Sequence, residues 1–253
     1  MILRLRSLVL SFALTAAVAL SALAAGAAGA EEVFWSGARS LPVYSVERAD
    51  NALAITFDCA WGTEHTDAIL QALEEANVKA TFFTVQFWAE EHPDYLKKID
   101  EAGHEIGTHS ATHPKMSQLS EEAIRSELTT SSRAITEVTG KPVTLFRPPF
   151  GDYDNAVIDT SLALGLMPIQ WDVDSLDWKD LSAKEIAERV VTKAKSGSII
   201  LCHNNGLHTA EALPVILDTL RARGFTFVPV GELIYRENYT IDHTGRQFSA
   251  AKG

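Results

Sequence analysis

Polar side chains that can carry out acid–base or metal chemistry stand directly after several short apolar runs of this sequence. Asp58 and His203 each follow such a run. A carboxylate can take a proton from water and an imidazole can give one to a leaving group, so this pair suits general acid–base chemistry. His109 and His113 are four residues apart, a spacing that places two imidazoles on one face of a helical turn and suits a divalent metal.

Arg147 and Asp177 stand at the ends of two further runs, and each alone has an ordinary structural explanation. Arg147 could be a salt-bridge partner and Asp177 a helix cap. Asp58 could likewise be an N-cap, because an aspartate often caps the helix that follows a strand, and His203 could be a core histidine with satisfied hydrogen bonds. The position of all these groups at run ends favours one shared site over separate structural roles.

The spacing of apolar residues predicts the elements that bring these groups together. Apolar runs alternate with stretches whose apolar residues recur every three or four positions, the pattern of amphipathic helices. The predicted strands are Leu53–Phe57, Ala80–Val85, Glu105–Thr108, Val143–Phe146, Met167–Trp171, Ser198–Cys202 and Thr226–Val230. Such alternation predicts a parallel sheet whose functional groups gather at the carboxyl ends of its strands. The pattern leaves open whether this α/β sheet is doubly wound or closed into a barrel.

The chain before and after these runs divides into segments of different character. Residues 1–30 combine two arginines, a long apolar run and small residues before Glu31, which is the pattern of a secretory signal. A membrane anchor is the alternative, because the apolar run approaches the length that spans a bilayer. We further predict a lead-in segment at 31–50 with an edge strand at Val43–Val46, a single domain at 51–235 and a polar, frayed tail at 236–253.

Composition limits the partners of this protein. The 33 acidic residues exceed the 22 basic ones, which gives a formal net charge of −11. This balance argues against nucleic acid and against an anionic membrane surface as partners, since both need clustered positive charge. The two cysteines, Cys59 and Cys202, are too few for a disulfide-rich scaffold.

Five segments in this order resemble the motifs of the NodB-type polysaccharide deacetylases, carbohydrate esterase family 4. They are TFDCAWG from Thr56, HSATHP from His109, RPPFG from Arg147, DSLDW from Asp174 and LCH from Leu201. The resemblance covers about residues 51–231 and implies a distorted (β/α) barrel of about seven strands. It also implies an enzyme that removes acetyl groups from N-acetylglucosamine or N-acetylmuramic acid units of peptidoglycan, chitin or a related glycan.

The resemblance assigns a role to each site residue by position. Asp58 is similar to the general base, Arg147 to the residue that holds it, His203 to the general acid and Asp177 to the carboxylate that tunes this histidine. His109 and His113 are similar to two ligands of a divalent metal, most often zinc. The sugar and acetyl pocket is expected to be formed by Pro149, Phe150, Gly151, Trp178 and Leu201. Phe150 is expected to offer its backbone N–H to the oxyanion, with base and acid on opposite sides of the barrel mouth.

Cys59 is the one departure from the resemblance, because the family has a metal-binding aspartate there. A thiolate is a good zinc ligand, so Cys59 could be the third ligand of the site. The alternatives are a protonated thiol that points elsewhere, which the unusual Ala60-Trp61 that follows favours, or a disulfide with Cys202.

These observations lead to three functional hypotheses. The first is a secreted or cell-envelope hydrolase that removes N-acetyl groups from a polysaccharide, without stable membrane association after signal cleavage. The second is a glycan-binding barrel that has lost turnover because of Cys59. The third is an O-acetyl esterase on the same scaffold. The sequence itself does not identify the sugar or the oligomeric state.

Overall fold

The computed structural model describes residues 39–250, and the predicted signal at 1–30 lies outside them. Within the described residues, no helix is long and apolar enough to cross a membrane. The strands are β1 Ser45–Val46, β2 Ala52–Cys59, β3 Thr81–Thr84, β4 Glu105–Thr108, β5 Leu145–Phe146, β6 Met167–Pro168, β7 Val173–Asp174, β8 Ile199–His203, β9 Thr226–Phe227, β10 Tyr239–Ile241 and β11 Arg246–Ser249.

The helices alternate with these strands, as the three- and four-residue spacing predicts. They are α1 Thr66–Glu75, α2 Gln86–Glu91, α3 Pro93–Glu101, α4 Glu121–Thr139, α5 Asn155–Ala163, α6 Ala183–Lys193, α7 Thr209–Ala222 and α8 Val230–Leu233. Ser120 caps α4 by accepting the backbone N–H of Ala123 at 3.3 Å. Ser182 and Glu185 form a reciprocal capping box on α6, which satisfies two donors that a helix start leaves free.

A curled sheet of parallel strands forms the centre of the fold, in the order β6-β5-β4-β3-β2-β8-β7, with β9 attached to β2. The predicted distorted barrel of about seven parallel strands is therefore confirmed. The sheet includes β7, which lies beyond the predicted strand end at Trp171. The last predicted strand is shorter than expected, because Val230 already begins α8.

All eight residues of β2 are buried, and their side chains alternate between two sides of the sheet. Leu53, Ile55, Phe57 and Cys59 pack in the apolar cluster that contains the buried residues of α1, α6 and α7. Because successive side chains of a strand point to opposite faces, Thr56 and Asp58 face the interior of the curled sheet. Each fully buried large apolar side chain contributes about 1.5–3 kcal/mol to folding, so the helix-facing layer holds β2 firmly in place.

The lead-in segment is bound to the segment that follows β6 and to the segment that precedes β8. Val43 forms a parallel bridge with Ile169, directly after β6, and Ser45 forms an antiparallel bridge with Ser198, directly before β8. The close approach at Gly197 leaves no room for a side chain, because a Cβ there would lie 1.6 Å from the carbonyl oxygen of Val46.

The C-terminal segment contradicts the expectation of a frayed tail. β10 and β11 form an antiparallel pair, and β11 runs parallel to β1, with Ser45 opposite Arg246 and Val46 opposite Gln247. Gln247 is fully buried and exchanges hydrogen bonds with the backbone of Tyr235. The strand β1, with which β11 pairs, lies nearly the whole described chain away in sequence. A local composition pattern does not reveal such a partner.

Candidate active site

The predicted site residues meet around one cavity of about 500 Å³ at the carboxyl ends of the central strands. It is lined by Asp58, Ala60, Trp61, His109, His113, Phe150, Trp171, Asp174, Trp178, Leu201, His203 and Asn205. A second cavity of about 430 Å³ lies between α6 and α7 and contains none of the predicted site residues. The positions of the polar residues at the ends of apolar runs therefore predicted the correct edge of the sheet for the site.

Asp58 is held from behind by Arg147. The Arg147 guanidinium donates to Asp58 Oδ1 at 2.7 Å, to Thr56 Oγ1 at 2.8 Å and to the carbonyl of Gln170 at 3.2 Å. Arg147 is fully buried, and its guanidinium also lies 4.2 Å from the centre of the Phe83 ring. Burial opposes ionisation of Asp58, but the charge of Arg147 prevails and lowers the pKa of the carboxyl below its ordinary value. Asp58 is thus an ionised carboxylate with a fixed orientation.

His203 is held by Asp177 in a similar way. One carboxylate oxygen of Asp177 lies 2.7 Å from His203 Nδ1, and the other accepts the His203 backbone N–H and the Thr209 hydroxyl, each at 2.7 Å. Burial disfavours the imidazolium, yet the hydrogen bond and charge of Asp177 raise the pKa of His203 above its ordinary value. Because Nδ1 faces Asp177, Nε2 is the ring nitrogen that can deliver a proton into the cavity.

The expected placement of base and acid on opposite sides of the barrel mouth is wrong. Asp58 and His203 are register partners on the adjacent parallel strands β2 and β8. Side chains of register partners emerge on the same face of a sheet, so both groups enter the cavity side by side. The sequence spacing could not show this, because it does not reveal that the first long strand pairs with β8.

The two predicted metal ligands lie on a loop after β4, not on the helical turn that their spacing suggested. Ser110 and His113 have left-handed backbone angles, φ +71° and +57°, which bend the loop so that the two imidazoles lie 4.9 Å apart. Glu127 of α4 anchors this loop by accepting the backbone N–H groups of Ala111 and Thr112, each at 2.8 Å, and the Thr112 hydroxyl at 2.7 Å.

Both imidazoles are suited to the neutral form. Burial is the main cause that lowers the pKa of His109 and lowers the pKa of His113 to about 4. His109 Nδ1 donates to the carbonyl of Arg147 at 2.7 Å, which leaves the lone pair of Nε2 directed to Asp58 Oδ2, 3.5 Å away. A backbone carbonyl that fixes the tautomer in this way is typical of metal-binding histidines.

Cys59 does not complete a metal site with these histidines. Its side chain is fully buried in the apolar cluster on the helix-facing side of β2, and it does not line the cavity. Burial raises the pKa of its thiol well above the ordinary value, so the thiolate that zinc needs is disfavoured. Among residues 39–250, no three His, Cys, Asp or Glu side chains are grouped as a metal site. The donor set does not fit a resident metal with three protein ligands.

The two cysteines are both free and buried in the structure. Cys202 is the register partner of Phe57 on the neighbouring strand and belongs to the same apolar cluster as Cys59. The structure thus contains no bond between them, and the protonated, outward-facing thiol is the alternative that it favours.

The expected sugar pocket is present in part. Phe150, Trp178 and Leu201 line the cavity, whereas Pro149 and Gly151 do not. Phe150 has a left-handed backbone, φ +60°, and its side chain is exposed. Gly151 packs so closely that a Cβ would lie 3.1 Å from the Trp171 ring.

Four further lining residues have side chains suited to binding but were not among the predicted site residues: Trp61, Trp171, Asp174 and Asn205. The carboxylate of Asp174 also accepts the backbone N–H of Leu176 at 2.8 Å. Nearby Asp172 accepts hydrogen bonds from Ser198 and Ile199 and pairs with Lys195, and it does not line the cavity. In the sequence, the signal for a binding role was Trp61, a tryptophan two positions after the end of β2.

The sequence and the fold match known proteins over most of the described residues. A family model described as polysaccharide deacetylase matches residues 45–169. A peptidoglycan-N-acetylglucosamine deacetylase of Bacillus cereus is 33% identical, covering 76% of this chain and 92% of the relative. A peptidoglycan-N-acetylglucosamine deacetylase of Listeria monocytogenes is 32% identical over 82% of this chain. The chain spans 43% of the length of that Listeria protein and 60% of another curated relative, from Bacillus subtilis.

Solved structures give the same result. A Bacillus anthracis protein described as a CE4 family pseudoenzyme superimposes with a TM-score of 0.74 and 34% identity, covering 76% of this chain and 68% of the other. A mutant of that pseudoenzyme, with a TM-score of 0.74 and 35% identity, is described as having restored enzymatic activity; the match covers 76% of this chain and 70% of the mutant.

Proposed function

The chain belongs to the polysaccharide deacetylase family, carbohydrate esterase family 4, and on this basis we propose that it removes N-acetyl groups from a polysaccharide with N-acetylglucosamine units. The observation that carries this proposal is the arrangement of Asp58 and His203. Both enter one cavity from adjacent strands, one as a fixed carboxylate and the other as a histidine whose pKa is raised. Hydrolysis of an amide needs both groups, because water must lose a proton and the amine must gain one.

Asp58 is the general base of the proposed reaction. Its carboxylate takes a proton from a water molecule as the water oxygen attacks the carbonyl carbon of the acetamide. Arg147 keeps the carboxylate ionised and fixes its direction through the bond to Oδ1. Oδ2 is the oxygen that remains for the proton. The tetrahedral oxyanion that forms is stabilised by the backbone N–H of Phe150, a role expected from the resemblance; one such donor lowers the barrier by roughly 3–4 kcal/mol.

His203 is the general acid. An amine is a poor leaving group unless it is protonated, so the C–N bond breaks as His203 Nε2 delivers its proton to the sugar nitrogen. Asp177 raises the pKa of His203 and so keeps the imidazolium populated. Acetate and the free amino sugar are the products. The proposed reaction is written without a metal, because the set of protein ligands that would hold a metal is incomplete among the described residues.

Peptidoglycan is the polysaccharide that we propose as substrate, at the cell envelope or outside the cell. The proposed location rests on the signal pattern of residues 1–30 and on the names of the Bacillus cereus and Listeria monocytogenes relatives. A protein exported by that signal would meet the glycan outside the cytoplasm. Fractionation of cells that express the full chain tests this point.

A second candidate function is glycan binding without turnover. It is favoured by the direction of Cys59, which leaves the histidine pair without a third ligand. The Bacillus anthracis protein described as a pseudoenzyme has the same TM-score to this chain, 0.74, as a solved peptidoglycan N-acetylglucosamine deacetylase. In that case the cavity and the acid–base pair would serve to hold an acetylated sugar.

Acetate release from β-1,4-linked N-acetylglucosamine oligomers separates the two candidates. The wild-type chain is compared with Asp58→Asn, each with zinc added or with a chelator, and binding of the same oligomers is measured by calorimetry. Release that Asp58→Asn abolishes supports the deacetylase. Binding without release by the wild-type chain supports the second candidate, and an ester substrate in place of the amide detects an O-acetyl esterase.

Cys59→Asp completes this experiment. We expect the new carboxylate to lower the melting temperature without zinc, because position 59 is fully buried among apolar side chains. Zinc should raise the melting temperature of Cys59→Asp more than that of the wild type if the carboxylate turns to the histidines. Acetate release that appears only in Cys59→Asp with zinc would show that the wild-type site lacks turnover for want of a ligand.

A further inference from the structure

Exposed aromatic side chains are concentrated at the mouth of the cavity. Six large apolar side chains are exposed among the described residues, and three of them, Trp61, Phe150 and Trp178, line this cavity with 54%, 64% and 56% of their surface exposed. Such a concentration of exposed apolar surface marks a binding site. Phe150 and Trp178 already have expected roles in the sugar pocket, but nothing so far accounts for Trp61.

The backbone that presents Trp61 is rigidly held. The carbonyl of Gly62 accepts two hydrogen bonds at 2.8 Å, from Trp88 Nε1 and from Asn204 Nδ2, and both donor side chains are fully buried. Gly62 itself has φ +61°, a left-handed angle that few other residues adopt without strain. An exposed ring on a fixed turn loses little entropy when a ligand packs on it, so Trp61 is preorganised for binding.

Trp61 and Trp178 lie on different sides of the acid–base pair. The Trp61 ring contacts His113, after β4, edge-on at 4.9 Å and lies 6.5 Å from Phe87, after β3. Trp178 follows β7, which lies beyond β8 in the sheet order. Because His203 ends β8, one tryptophan lies toward β3 and β4 and the other toward β7. Two aromatic side chains on either side of a reaction centre are suited to bind two different sugar units of one oligosaccharide.

The charges of the cavity favour an uncharged ligand on Trp61. None of the residues that line it is a lysine or arginine, and Asp58 and Asp174 are acidic. Arg147 is fully buried and paired with Asp58, while the Lys179 ammonium lies over the Trp178 ring, 4.8 Å from its centre. A pyranose without a carboxylate offers an apolar face of C–H groups to an indole ring and hydroxyl groups to water, as the half-exposed Trp61 requires.

We propose that Trp61 forms a subsite for a neutral pyranose next to the unit whose acetamide enters the cavity. This inference rests on the proposed function in so far as the ligand is a polymer of N-acetylglucosamine. The subsite selects length, because only an oligomer can place one unit at the acid–base pair and a second unit on Trp61. It also favours N-acetylglucosamine over a unit with a free carboxylate at this position.

Calorimetric titration with the monomer and the β-1,4-linked tetramer of N-acetylglucosamine tests the subsite. In Trp61→Ala we expect the affinity for the tetramer to fall about tenfold, the effect of losing one aromatic stacking contact, and the affinity for the monomer to stay unchanged. Trp61→Phe should retain most of the affinity for the tetramer. Leu162→Ala is the matched control, because Leu162 is exposed but does not line the cavity.

Each other outcome has a defined meaning. Unchanged affinity of Trp61→Ala for the tetramer overturns the subsite, and an equal loss for monomer and tetramer overturns its position beside the reacting unit. If the wild-type chain binds the tetramer through Trp61 but releases no acetate, the deacetylase function fails and the subsite stands. If the wild-type chain binds neither sugar, both proposals are wrong.

Discussion

The acid–base pair of Asp58 and His203 and the histidine corner of His109 and His113 share one cavity but differ in how their side chains are held. Asp58 and His203 stand on adjacent strands, and each is bonded to a buried partner, Arg147 or Asp177. His109 and His113, by contrast, lie on a loop, and the third position that would complete them faces away from the cavity. The groups for proton transfer are therefore complete in this chain, whereas the metal ligands are not.

This difference follows from local geometry. Sheet register fixes the direction of Asp58 and His203, and a shift of one residue in either strand would turn the group on that strand to the opposite face. The histidines depend instead on left-handed backbone angles and on one anchoring carboxylate, Glu127. Substitutions in the two regions should consequently differ in kind, the first altering turnover and the second altering loop order and zinc affinity.

Removal of the acid should have the largest effect. In His203→Ala we expect turnover of an N-acetylglucosamine oligomer to fall by about 10²–10⁴, because a positioned general acid contributes this much. An aryl acetate should lose less, since its leaving group needs no proton. Initial rates on both substrates measure this. His208→Ala is the matched control, as its imidazole pairs with Glu211 outside the cavity. Equal losses on the two substrates would contradict the acid role.

Removal of the guanidinium should change both stability and pH dependence. Arg147→Ala leaves a buried carboxylate without its partner, which costs about 3–5 kcal/mol of unfolding free energy. Arg147 lowers the pKa of Asp58, so its removal raises that pKa and moves the acidic limb of the pH–rate profile to higher pH. Urea unfolding and the pH profile are the measurements.

Two variants serve as references for Arg147→Ala. Arg147→Lys keeps the charge and should retain part of the shift, while Arg133→Ala, which removes a surface arginine near Glu137, should change neither property. A profile of Arg147→Ala that falls in height without moving along the pH axis would assign Arg147 to substrate binding.

The histidine corner should respond to its anchor. Glu127→Ala removes the acceptor of three hydrogen bonds to the loop, and we expect a loss of about 1–3 kcal/mol of unfolding free energy. Hydrogen exchange of the Ala111 and Thr112 amides should become faster. Glu137→Ala on the same helix should cost less than about 1 kcal/mol, because its partner is a surface arginine. Unchanged exchange at both amides would show that the loop is held by other contacts.

The smallest effect is expected at Cys59. In Cys59→Ser we expect zinc affinity, measured by calorimetry, to stay within about twofold of the wild type, because the thiol faces the apolar layer and its protonated form is favoured. A large loss of zinc affinity would make Cys59 the third ligand. It would also remove the difference between the two regions on which the preceding predictions rest.

The sequence predicted the strands and the site edge well because these depend on local patterns. Apolar periodicity located β2 and β8, and Asp58 and His203 at the ends of these strands line one cavity as expected, although on adjacent strands rather than on opposite sides of it. The pairing of β2 with β8, the direction of Trp61 and the bend at His113 depend on contacts between distant segments, which spacing does not encode. The prediction of a frayed tail at 236–253 was wrong for its described part, residues 236–250, for the same reason, because Gln247 is bonded to Tyr235 and β11 pairs with β1.

The seam formed by β1 and β11 has a consequence for the order in which this protein can fold. Val43 and Ser45 form bridges to Ile169 and Ser198 of the central domain, but β1 takes its other partner from β11, at the opposite end of the described chain. Closing so long a loop has a large entropic cost before any contact compensates for it. We therefore expect the central strands and helices to assemble first and this seam to close last, as a slow kinetic phase that a nascent chain cannot begin before residues 246–249 have been synthesised.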